Sequence, residues 1–207
     1  VKRLFYYLAF VIILLSAVQP AISSPRKNRI AAKAWIVVDE NDAVLSEKFP
    51  SAKLPPASTV KLVTAMVALD RLDPAVKATV SSRARAARSG KPRLLTADVL
   101  TVTDLLHLAL MRSNNSAAVA LSEAAGGSEN EFVALMNQKA KEIGANDTHF
   151  ETASGLPKGR QYTTARDLTI ILKKALTYPL IREILGKKEW LVRTEAGRDL
   201  YLSNTDN

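Results

Sequence analysis

Leu54-Pro55-Pro56-Ala57-Ser58-Thr59-Val60-Lys61-Leu62-Val63-Thr64-Ala65 runs from a proline-blocked entry into an apolar helix, with Ser58 and Lys61 one helical turn apart at its mouth. A serine hydroxyl attacks carbonyls poorly until a base removes its proton. Residues i and i+3 share one helix face, so the Lys61 amine can reach the Ser58 oxygen. Burial, helped by neighbouring positive groups, would hold that amine unprotonated and make it a general base. The bland reading of Ser58 is a helix N-cap. A second S-x-x-K, Ser24-Pro25-Arg26-Lys27, lacks the proline entry and the amphipathic helix and is read as coincidence.

A second polar cluster, Ser113-Asn114-Asn115, interrupts two strongly apolar segments, Leu105–Met111 and Ser116–Ala125. Unsatisfied side-chain dipoles are costly in such surroundings, so the triplet faces a cavity or bonds a partner; a polar helix-to-helix turn is its ordinary reading. Functionally, Ser113 would relay a proton to a leaving amine, and Asn115 would hold both Lys61 and a substrate carbonyl.

Outward from these segments, Ala34–Val38 and Ala43–Leu45 read as a hairpin around the Asp39–Asp42 turn. Val60, Val63, Met66, Val67 and Leu69 recur at helical spacing until Asp73-Pro74, and residues 75–100 show no sustained period. Thr103-Asp104 opens a helix apolar nearly all round. Ser128–Glu131 has capping-box spacing for a helix through Ile143, and Thr164 caps another from Ala165 to Leu176. A short helix spans Leu180–Leu185, and Trp190–Thr194 with Leu200–Leu202 forms a second hairpin. Strands, then helices, then strands imply an α+β fold: an antiparallel sheet flanked by helices, with an all-helical lobe inserted.

Composition bounds the compartment. Lys2-Arg3 followed by the apolar run Leu4–Val18 is read as a secretory signal over residues 1–21, cleaved after Ala21 or Ser23, with an uncleaved membrane anchor as the alternative. Residues 22–33 form a basic linker and residues 34–207 one domain. Val1 is read as an initiator from a non-standard start codon, hence a bacterial, exported protein of the periplasm or the outer face of the cytoplasmic membrane. The chain has no cysteine, which excludes a disulfide scaffold and a thiol nucleophile. Its net charge is +9, and no acid lies between Arg83 and Arg93. That segment has no interleaved aromatics, so it is read as a solvated basic loop without a nucleic-acid partner, with anionic cell-envelope polymers as its natural counterpart. His107 and His149 lack metal-ligand spacing and are assigned structural roles, and there is no G-x-S-x-G elbow. No cofactor or metal is expected.

The segment Leu54–Ala65 resembles the nucleophile segment of the D-alanyl-D-alanine carboxypeptidases, the low-molecular-mass penicillin-binding proteins. Asp104-Leu105-Leu106, Ser113-Asn114-Asn115 and Ala117–Leu121 are similar to that family's second motif and its flanks. Phe132–Gly144, Thr148–Pro157 and Thr163–Leu168 agree in order. The resemblance implies a DD-peptidase/β-lactamase-like fold and Ser58, Lys61, Ser113 and Asn115 as catalytic residues. It also implies peptidoglycan stem peptides ending in D-Ala-D-Ala as substrates, β-lactams as inhibitors, and membrane association of a full-length form as an option. The family's third motif, K-T-G, is absent from these residues, which reads as truncation just before it. In the family that strand supplies one oxyanion donor beside the Ser58 N–H; losing one such donor costs about 100- to 1,000-fold in rate. Missing strands would also leave a sheet edge unpaired and impair folding. The alternatives are a DD-endopeptidase, a class A β-lactamase, for whose E-x-x-x-N loop segment the sequence offers no convincing counterpart, and a catalytically inactive envelope-binding relative.

Overall fold

A computed structural model describes residues 31–204. The signal segment, Ser24–Lys27 and most of the basic linker lie outside the described residues. The chain divides into residues 1–32 and 33–207, and the architecture below is that of the second.

Two strands come first, β1 (Trp35–Val38) and β2 (Val44–Lys48). A 3-10 turn over Ala57–Thr59 leads directly into α1 (Val60–Arg71). The helix forms because Val60, Val63, Met66 and Val67 repeat every three or four residues and bury one face. It stops where Leu72 turns extended and the Asp73 carboxylate accepts the Ala75 N–H at 2.7 Å. Then follow β3 (Lys77–Thr79), the short α2 (Ser82–Ala86) and β4 (Val99–Thr101), with β3 and β4 paired antiparallel. Residues 75–100, which show no sustained period in the sequence, therefore contain a helical turn as well as strands, started by Ser81 Oγ accepting the Ala84 N–H at 2.9 Å.

Helix α3 (Val102–Met111) begins before Thr103 because Thr101 is its cap: Thr101 Oγ1 accepts the Asp104 N–H at 3.1 Å and donates to the Asp104 carboxylate at 2.6 Å. Helix α4 (Asn115–Gly126) is capped by Asn114, whose side-chain oxygen accepts the Ala117 N–H at 2.9 Å. Ser128 and Thr164 cap α5 (Glu129–Glu142) and α6 (Ala165–Leu176), as their spacing predicts. The chain continues through α7 (Pro179–Gly186) into β5 (Glu189–Arg193) and β6 (Asp199–Ser203), an antiparallel pair.

Helix α1 is the hub, packed against α3, α4, α5 and α6. Val60, Val63, Met66, Leu105, Leu106, Leu108, Met111, Leu121 and Phe132 are all closed to solvent around it. Burying one such side chain contributes about 1.5–3 kcal/mol. The α+β class holds, with one correction: among the described residues the strands form three separate two-stranded ladders, not one sheet. Of two isolated antiparallel bridges, Leu54 with Thr163 ties the segment before Ser58 to the loop that follows α5, and His149 with Tyr162 closes that loop on itself. No described helix is long and apolar enough to cross a membrane.

Candidate active site

Pro56 precedes a turn that Thr59 closes, its N–H and hydroxyl both donating to the Pro56 carbonyl at 3.3 and 2.6 Å. Neither the 3-10 turn nor α1 has a side-chain cap, so the N-cap reading of Ser58 is not the one realised. Its oxygen instead stands 3.1 Å from Lys61 Nζ and accepts the Ser113 hydroxyl at 2.7 Å. Ser58 is exposed, whereas Lys61 is only 2% exposed. A nucleophile open to solvent is thus backed by an amine sealed behind it.

Burial penalises the ammonium form and lowers the Lys61 pKa from 10.5 to about 8. Desolvation is the whole cause, and the neighbouring positive groups expected to assist contribute nothing. At pH 7 a pKa of about 8 leaves roughly one amine in ten unprotonated, against about one in three thousand at 10.5. The second partner of Lys61 is the Ser154 carbonyl, which accepts at 2.6 Å. That single backbone acceptor aims the amine at Ser58.

Ser113 follows α3 with φ +50°, and Ala57, next to the nucleophile, has φ +47°. Left-handed backbone costs a residue with a side chain about 1–2 kcal/mol. Strain of this kind persists where surrounding structure over-determines it, and both residues border Ser58. Asn114 is fully buried, capping α4 and donating to the Pro92 carbonyl at 2.8 Å. Asn115 departs from expectation. Its side chain donates to the Arg88 carbonyl and makes no hydrogen bond to Lys61. Asn115 is the first residue of α4, and its amide faces the basic segment. The structure therefore brings Ser58, Lys61 and Ser113 into one hydrogen-bonded cluster and sets Asn115 at its edge.

Four supporting groups have no signature in the spacing. Thr64, one turn after Lys61, donates to the Ala153 carbonyl at 2.7 Å. Glu129, 7% exposed, accepts the Ala153 N–H at 3.1 Å, and Arg83 closes its other oxygen at 2.8 Å. Together they fix the peptide whose neighbour holds Lys61. Gly155 has φ +79°, and a Cβ there would lie 1.9 Å from the Ala57 carbonyl oxygen. Only glycine lets this loop lie against the nucleophile turn. His107 stacks on Trp190 at 4.1 Å with Nδ1 2.8 Å from the Thr103 carbonyl, and the His149 backbone pairs with Tyr162. Neither imidazole hydrogen-bonds to the cluster. Among the described residues no group of three or more His, Cys, Asp or Glu side chains could hold a metal ion.

An arrangement of this kind invites comparison with known proteins. The D-alanyl-D-alanine carboxypeptidase family matches residues 20–206. D-alanyl-D-alanine carboxypeptidase DacF of Bacillus subtilis is 31% identical over 217 residues, spanning 99% of this chain and 56% of that protein. A D-alanyl-D-alanine endopeptidase of Escherichia coli is 35% identical over 173 residues, spanning 82% of this chain and 55% of its own length. The chain thus spans little more than half of these relatives. The crystal structure of a D-alanyl-D-alanine carboxypeptidase from Mycobacterium tuberculosis superposes with a TM-score of 0.81 at 33% identity, covering 91% of this chain and 72% of that one. The Streptomyces K15 DD-transpeptidase gives 0.75 at 26% identity, covering 86% and 74%. By sequence and by fold, the chain belongs to the D-alanyl-D-alanine carboxypeptidase family.

Proposed function

We propose that this chain carries the acylation machinery of a serine-type D-Ala-D-Ala carboxypeptidase that trims peptidoglycan stem peptides and is acylated by β-lactams. The observation that carries this reading is a buried amine of depressed pKa, 3.1 Å from an exposed serine oxygen. Unprotonated Lys61 takes the Ser58 proton as Ser58 Oγ bonds to the carbonyl carbon of the penultimate D-alanine. The C–N bond to the terminal D-alanine then breaks. Lys61 returns the proton through the Ser113 hydroxyl, 2.7 Å from Ser58 Oγ, to the leaving amine. Water attacks the acyl-enzyme by the same base, releasing the shortened peptide and restoring Ser58. Asn115 is assigned to hold the substrate carbonyl, from the rim of the cluster. Such a substrate places the action outside the cytoplasm, in keeping with the basic-then-apolar N-terminal segment.

Fluorescent penicillin tests the reading. The wild-type protein takes up label and Ser58→Ala does not; equal labelling of the two overturns it. A second reading, a DD-endopeptidase that cuts cross-links, is favoured by the similarity to endopeptidases at 34% and 35% identity. Product analysis on defined monomeric and cross-linked muropeptides separates the two.

A further inference from the structure

The basic segment is not an evenly solvated face. Arg85, Arg88 and Arg93 line one cleft of about 390 Å³, whose wall includes Ser116. Lys91, Arg93 and Arg112 line a second of about 470 Å³. Arg112 immediately precedes Ser113, and Ser116 lies three residues after it, so each cleft has a wall residue within three positions of the serine that touches Ser58. The Arg88 carbonyl also anchors Asn115.

Most of the cations in these walls differ from others in the fold. Lys53 pairs with Asp147, Lys77 with Glu195, Arg166 with Glu47 and Arg193 with Asp199. Arg83 is neutralised by Glu129, and Arg198, which also lines the second cleft, is paired with Asp98. Among the described residues, Arg85, Arg88, Lys91 and Arg93 form no ion pair, and no acidic side chain lines either cleft. Like charges crowded on concave walls repel one another and focus a positive potential where an anion would enter. Guanidinium groups match a carboxylate with paired N–H donors.

We propose that these clefts bind side-chain or α-carboxylates of the peptide substrate, upstream of the bond that Ser58 attacks. The inference rests on the acyl-transfer reading of Ser58 and adds to it a substrate class: acidic rather than amidated peptides.

The test is calorimetric and does not need turnover. Two peptides with the same D-Ala-D-Ala end, one bearing a free upstream carboxylate and the other its carboxamide, are titrated into Ser58→Ala protein. The carboxylate peptide is expected to bind about tenfold more tightly, as two exposed charge pairs of up to about 0.7 kcal/mol each would give. In the added triple substitution Arg85→Ala, Arg88→Ala, Arg93→Ala the ratio falls to about one. A charge-matched triple elsewhere, Arg160→Ala, Lys174→Ala, Arg182→Ala, keeps the ratio. Equal affinities in the parent, no binding of either peptide, a ratio surviving the first triple, or an equal loss in both triples each overturns the proposal. So does binding of a phosphodiester polymer while the two peptides remain indistinguishable. Failure of the Ser58 reading shows separately, as a wild-type protein that penicillin does not label.

Discussion

Lys61 and the arginines at 85, 88 and 93 are all cations in a chain of net charge +9, set in opposite surroundings. Lys61 is sealed under the Ser58 turn, with two hydrogen-bond partners and a pKa lowered to about 8. The arginines stand exposed along clefts with no acid beside them. Solvent leaves a guanidinium charged and useful for holding anions. A dry site instead draws the charge off an amine and leaves a base. Sequence charge is therefore a poor guide to chemistry until burial is known. The two regions touch through Asn115, which bonds the Arg88 carbonyl at the rim of the Ser58 cluster.

The sharpest break in this contrast is to make Lys61 permanently charged. Lys61→Arg keeps the cation but abolishes the base, so the rate of β-lactam acylation should fall by about 10²–10⁴-fold, with Lys61→Met falling as far. A Lys61→Arg protein acylated at the wild-type rate would show that charge alone suffices. Next in size, Gly155→Ala drives a methyl into the Ala57 carbonyl and requires left-handed backbone at a residue with a side chain. It should cost on the order of 1–3 kcal/mol in denaturant unfolding and displace Ser58 from Lys61, lowering acylation with it.

Glu129→Ala leaves the Ala153 N–H without its acceptor and Arg83 without its partner. A loss of about 1–3 kcal/mol is expected from thermal unfolding. Glu129→Gln retains the acceptor oxygen and should recover part of it. Smaller and pH-dependent is the contribution of Lys61 itself. Between pH 8 and 10.5 the unfolded chain binds a proton on this amine that the folded chain has released. Stability therefore rises with pH across that window, relative to Lys61→Met, and the burial penalty is fully present below pH 8. Denaturant midpoints of the two proteins measured from pH 7 to 11 check the sign.

How much could be read in advance follows from contact range. The Ser58 to Lys61 spacing and the caps at Ser128 and Thr164 are three-residue relations and emerged as expected. Thr101, which caps α3, went unread because Thr103-Asp104, two residues on, offers a competing start signal. The expected contact of Asn115 with Lys61 is not made: α4 begins one residue earlier than the sequence reading placed it, and the Asn115 amide donates to the Arg88 carbonyl. Beyond reach altogether were Ser154, 93 residues from Lys61, and Glu129, 24 residues from Ala153. Neither pairing has a periodicity to announce it. The two hairpins, β1 with β2 and β5 with β6, are local and were legible, whereas the pairing of β3 with β4 across an intervening helix is non-local in the same sense.

The Lys61 amine can be observed directly by NMR on ¹⁵N-lysine-labelled protein, with Lys61→Met assigning its resonance. The account predicts titration with a midpoint of about 8, set by burial beneath Ser58. A midpoint near 10.5, that of an ordinary solvated lysine, would contradict it.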